Sequence, residues 1–129
     1  MTLEEFKMVV DEFPELSFEK DKSYWYAFVR EKGCGDIRRN NLAIYSFTTS
    51  LTEIKPAVQL VYINDIKNKY KDLYIEIRGS MYTDGVNVLR NHFKESLFLI
   101  KKYHLIVKEF NLFKKQQELE KDFEHEAQK

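Results

Sequence analysis

One cysteine, two prolines and four glycines are all this chain has of the residues that most often crosslink or punctuate a fold. Each scarcity excludes something. A lone Cys34 has no partner for an internal disulfide, and it lacks the second cysteine of a CxxC pair. The opening MTLEEFKMVV has neither the basic start nor the apolar centre of a signal peptide, so the sequence predicts a cytoplasmic location. No apolar run approaches the roughly 20 residues that cross a bilayer, so no membrane span is expected. With so few glycines there is no GxxxxGK(S/T) and no GxGxxG between a strand and a helix, and GxSxG is missing too. Phosphate-cradling loops and the serine elbow therefore have no counterpart here. His92, His104 and His125 lack a second His, Cys or carboxylate at an established ligand spacing, so no metal and no cofactor is expected. Carboxylate pairs such as Glu4 with Glu5, or Glu118 with Asp122, lie on polar helix faces with nothing apolar to raise a pKa. The chain reads as a non-enzyme with no catalytic residue.

What is present is a core. Hydrophobic residues make up 43% of the 129 positions and aromatics 15%, ample for one folded domain. The net charge is zero but unevenly spread. Residues 1–21 carry seven acids against two bases, residues 22–115 seventeen bases against nine acids, and residues 116–129 five acids against two bases. A basic middle between acidic ends suits either a polyanion site or self-neutralisation within the fold.

Thr2 followed by Glu5 predicts a capping box, and Leu3, Phe6, Val9, Val10 and Phe13 share one face at helical spacing, so a helix is expected over 2–13. Pro14 ends it. Four segments then read as strands: SYWYAFVRE (23–31), NLAIYSFTT (41–49), AVQLVYIND (57–65) and DLYIEIRGS (72–80). Short connections between them predict an antiparallel meander. In the fourth, Leu73, Ile75 and Ile77 are expected inward and Tyr74, Glu76 and Arg78 outward. SYWYAFVRE is apolar on both faces, so its outer face is either covered or a binding platform. From Val86, with Asp84 as N-cap, a helix is expected almost to the end. Positions 86, 89, 93, 96, 100, 103, 107 and 110 alternate spacings of three and four, and all but Ser96 are apolar or aromatic. At 1.5 Å per residue such a helix would be roughly 60 Å long. That length predicts a break near 103–105, a projecting end or a dimer.

The expected fold is α+β: an N-terminal helix, a four-stranded and mainly antiparallel sheet, and a long C-terminal helix packed on the sheet. Residues 1–115 form the domain, and 116–129 a polar helical extension or frayed tail. The expected core includes Phe6, Val10, Phe28, Ile44, Leu60, Ile75, Ile77, Leu89, Phe93 and Ile100.

Two functions compete. Strand aromatics beside bases hold single-stranded nucleic acid, the bases stacking and Lys or Arg meeting phosphates. Tyr24, Trp25, Tyr26 and Phe28 beside Arg30, Lys32, Arg38 and Arg39 fit that recipe, with Lys67, Lys69, Lys71 and Arg78 as a second basic patch. Against it stand the overall neutrality and the absence of an RNA-binding sheet motif. The favoured reading is a non-enzymatic protein-binding module. Long side chains at turn tips, a long apolar helix and acidic ends are what such a module displays. Arg30, Lys32, Arg38, Arg39, Tyr24 and Tyr26 are its expected contacts, Gly33 and Gly35 lifting the arginine pair off the sheet edge. A homodimer through the C-terminal helix is a further expectation. In length and in its use of Lys, Asn, Ile, Phe and Tyr, the whole chain resembles small accessory proteins of phages and mobile elements of AT-rich Gram-positive bacteria. Inhibitors of host defence such as anti-CRISPR proteins are among them. The resemblance implies a regulator or inhibitor of a host factor, and it assigns no residue a role.

Overall fold

The computed structural model describes residues 1–29, 40–49, 54–69 and 72–127, with side chains at 1–29, 40–46, 56–67 and 75–121. The N-terminal capping box forms. The Thr2 hydroxyl accepts from the Glu5 amide at 3.2 Å and the Glu5 carboxylate accepts from the Thr2 amide at 3.1 Å, so two free donors of the first turn are satisfied. The helix that follows, α1 (Leu3–Asp11), buries Phe6, Val9 and Val10.

Among the described residues five strands succeed it: β1 (Leu16–Asp21), β2 (Tyr24–Val29), β3 (Asn41–Thr49), β4 (Ile54–Lys69) and β5 (Asp72–Thr83). They lie in chain order and every neighbouring pair is antiparallel, so the sheet is a meander with β1 and β5 at its edges. The sequence reading missed β1. LSFEKD is short and half charged, and its hairpin to β2 turns on Lys22-Ser23 rather than on Asn-Gly or Asp-Gly. Lys22 takes the positive φ (57°) that glycine would supply in such a turn.

α2 runs without a break from Val86 to Ala127, so the expected interruption near 103–105 is absent. Its first backbone bond, Leu89 N–H to Gly85 O at 3.1 Å, places Gly85 and not Asp84 at the N-cap. The chain divides into two compact units, Met1–Leu97 and Phe98–Lys129. In the first, the opening turns of α2 pack on the sheet with Leu89 and Phe93 fully buried.

Both helices of this unit meet the same sheet face. Phe6 lies 5.7 Å, ring to ring, from both Phe18 on β1 and Tyr45 on β3. Phe13, just past α1, meets Phe93 of α2 edge-on at 5.6 Å. The Arg90 guanidinium clasps the Glu12 carboxylate through Nε (2.7 Å) and Nη2 (3.0 Å), joining α2 to the C-cap of α1. That paired hydrogen bond holds the Glu12 carboxyl below the usual carboxylate range.

Three irregularities in register shape the sheet. β3 carries one extra residue, Leu42, between the pairs Ala27–Ala43 and Phe28–Asn41. A bulged residue loses its ladder partner, and the Leu42 carbonyl accepts instead from Nε2–H of the buried His92 at 3.0 Å. On β5 Arg78 is skipped between the pairs Tyr62–Gly79 and Ile63–Ile77, and on β4 Asn64 is skipped next. These two bulges break the alternation expected along LYIEIRG. Ile75 is buried, but Ile77 is 49% exposed, contrary to its expected place in the core. Ile44 is half-buried, and the other eight expected core residues are buried. Among the described residues no helix is long and apolar enough to cross a membrane.

Candidate functional site

Alternation along β2 splits its aromatics between the two faces of the sheet. Trp25 faces the helices, half-buried, stacked on Phe18 at 4.7 Å and 11° and approached by Lys20 Nζ at 5.8 Å. Tyr24, Tyr26 and Phe28 face the other way. Phe28 is buried, Tyr26 half-buried and Tyr24 44% exposed.

Register extends this second face across the sheet. Glu19 opposes Tyr26, Tyr26 opposes Ile44, Ile44 opposes Gln59, and Gln59 opposes Tyr82. Cross-strand partners share a face, so Glu19, Tyr26, Ile44, Gln59 and Tyr82 form one continuous row. Strands about 4.8 Å apart put Tyr26 and Tyr82 roughly 14 Å from each other across that row. Tyr82 is 58% exposed. Gln59 donates to the Ser80 hydroxyl at 2.8 Å, which fixes its amide on the same face. Tyr24 and Tyr26, two residues apart, hold their rings 6.5 Å apart at 59°. Asp21, opposite Tyr24, and Glu19 place two carboxylates along the β1 side of these phenols. None of the described ring contacts brings either helix to this face.

Among the described residues this face therefore presents Tyr24, Tyr26 and Tyr82 with Ile44 and Gln59, and Glu19 and Asp21 along β1. Tyrosines offer large rigid contact area with a hydroxyl that both donates and accepts. Among the described residues no three His, Cys, Asp or Glu side chains cluster to hold a metal ion. Burial holds the His92 imidazole below its ordinary pKa, against the opposing pull of the Leu42 and Val61 backbone.

The residues singled out from sequence divide three ways. Tyr24 and Tyr26 lie on the platform. Lys67 and Arg78 lie elsewhere and are engaged: Lys67 Nζ meets the Glu76 carboxylate at 2.7 Å, and the Arg78 guanidinium sits 5.7 Å from the Tyr62 ring centre. Lys69 opposes Asp72 in the β4–β5 register, its side chain outside the described set, and Arg30, Lys32, Arg38, Arg39 and Lys71 lie outside the described residues. Glu76 also accepts from Asn64 at 2.8 Å, and with Lys67 this holds its carboxyl below the ordinary range. The sequence reading missed Tyr82, Gln59 and Ile44 as one surface. Alternation within a strand gives a residue only a face, and the register of four strands is what lines these three up with Tyr26. No protein-family model, no curated protein and no solved structure matches the chain.

Proposed function

We propose that this protein is a non-enzymatic recognition module that binds a protein partner through the helix-free face of its sheet, acting as a regulator or inhibitor of that partner. The observation that carries the reading is the row Tyr26–Ile44–Gln59–Tyr82, extended by Tyr24 and lying beside Glu19 and Asp21. Tyrosine is enriched at protein interfaces because it buries area at low entropic cost and still hydrogen-bonds at the rim. The charges described on this face favour a protein over single-stranded nucleic acid. Stacked bases bring phosphates, and the described residues opposite Tyr24 and Tyr26 across the β1–β2 ladder, Asp21 and Glu19, are carboxylates, where a nucleic-acid platform carries Lys and Arg. Lys67, of the second basic patch, already serves Glu76.

A paired capture tests the reading. Wild-type protein and the Tyr24→Ala/Tyr82→Ala variant are immobilised at equal density and exposed to the same bacterial lysate. Both positions are about half exposed, so the variant retains the wild-type unfolding midpoint. A protein retained by the wild type and lost from the variant supports the reading. Identical captures, or retention of nucleic acid that disappears between about 50 and 200 mM salt, would overturn it.

A further inference from the structure

The second unit, α2 from Phe98 onward, exposes a surface that the sheet reading does not use. Phe98, Leu105, Leu112 and Leu119 recur every seven residues, and Leu99, Ile106 and Phe113 repeat the interval one position on. A seven-residue interval drifts only about 20° around a helix, so each row stays on one side for three or four repeats. Each of these seven side chains is between 46% and 68% exposed, as is Phe110, over whose ring the Lys114 ammonium sits at 5.1 Å. At about 200 Å² for a fully exposed large side chain, they leave roughly 900 Å² in water. The largest apolar patch on an ordinary monomer is about 300–600 Å², and a specific interface needs about 800 Å² from each partner. The area matches a stable interface.

Charge identifies what covers it. Residues 98–115 carry five lysines against one glutamate, and residues 116–127 five carboxylates against one lysine. The helix is basic along its first half and acidic along its second. A second copy laid parallel and in register would set like charge on like. Laid antiparallel, it sets each basic half on an acidic half while the heptad rows meet between them. We propose that the protein forms a homodimer in which the segments of α2 beyond Leu97 pair antiparallel, crossing at the Lys115–Gln116 boundary.

This inference is independent of the sheet platform, and its test reads mass and orientation only. Sedimentation equilibrium should give twice the 15.5 kDa chain mass for the wild type. Leu105→Glu/Leu112→Glu, both on the exposed row, should weaken the dimer by at least about a hundredfold. It should leave the unfolding midpoint of the sheet unchanged, because neither side chain is buried in the single chain. Orientation is read with Cys34→Ser as background and one cysteine added on the row 102, 109, 116. Gln116→Cys, where the basic and acidic halves meet, should crosslink the two copies on oxidation, and Lys102→Cys should not. A monomer at every concentration reached, or a dimer insensitive to the two glutamates, would overturn the proposal. Crosslinking at both cysteine positions would overturn the antiparallel arrangement.

Discussion

Phe93→Ala and Ile77→Ala together measure whether the sheet's packed face has been assigned correctly. Phe93 is fully buried, its ring edge-on to Phe13 at 5.6 Å and 6.3 Å from the His92 ring. Truncation removes the ring's transfer energy, opens a cavity between α1, α2 and the sheet, and forfeits an aromatic pair worth about 0.5–1.5 kcal/mol beyond its area. The cost should be about 4 kcal/mol, a large share of the roughly 5–15 kcal/mol that holds a domain of this size together. Ile77 had equal standing as core by sequence pattern, but the bulges at Arg78 and Asn64 leave it 49% exposed. Its truncation should cost less than about 1 kcal/mol. Urea unfolding followed by tryptophan fluorescence reads both through Trp25, whose half-buried ring stacks on Phe18 on the helix side of the sheet. Equal losses, or a larger loss at Ile77, would refute the register assigned to β4 and β5.

The other predictions concern local devices. Lys22→Gly should stabilise by about 0.5–1 kcal/mol, since the positive φ strains a lysine more than ordering a glycine costs; an unmoved urea midpoint would show the turn is unstrained. Thr2→Ala should cost about 1 kcal/mol through loss of the capping box, with amide exchange quickening selectively in the first turn of α1. For His92 the folded-state pKa lies below the unfolded value of about 6.5, so the unfolded chain binds the extra proton first as pH falls. Its contribution to stability is complete above about pH 6.5 and is lost as pH falls from there through the lowered folded value. His92→Gln should flatten that slope, and an unchanged slope in the variant would place its origin elsewhere.

What the sequence made legible follows from how local each signal is. The Thr2–Glu5 box and the Phe6, Val9, Val10 face are written within one helix turn or two, and both form. The heptad spacing of Leu89, Phe93 and Ile100 found the buried side of α2. Beyond Leu97, however, one apolar stripe could not show which side chains its own chain covers and which it leaves to water. β1 escaped notice because its turn uses a strained lysine in place of glycine. Ile77 was misplaced because a bulge is a relation between two strands, and only the β4–β5 pairing shows it. For the same reason the platform was half visible. Tyr24 and Tyr26 stood out on β2, but Gln59 and Tyr82 join them only through a register that spans four strands.

We propose, above all, that the sheet face bearing Tyr26 and Tyr82 contacts a protein. Photo-crosslinking from inside that face tests it most directly. A benzophenone amino acid is placed at Tyr82 in one sample and at Met8, 69% exposed on α1, in another, and both are irradiated in the same bacterial lysate. A discrete protein adduct is expected from position 82, suppressed by excess unlabelled wild-type protein and absent from position 8. The same adducts from both positions, or nucleic acid alone attached at position 82, would contradict it.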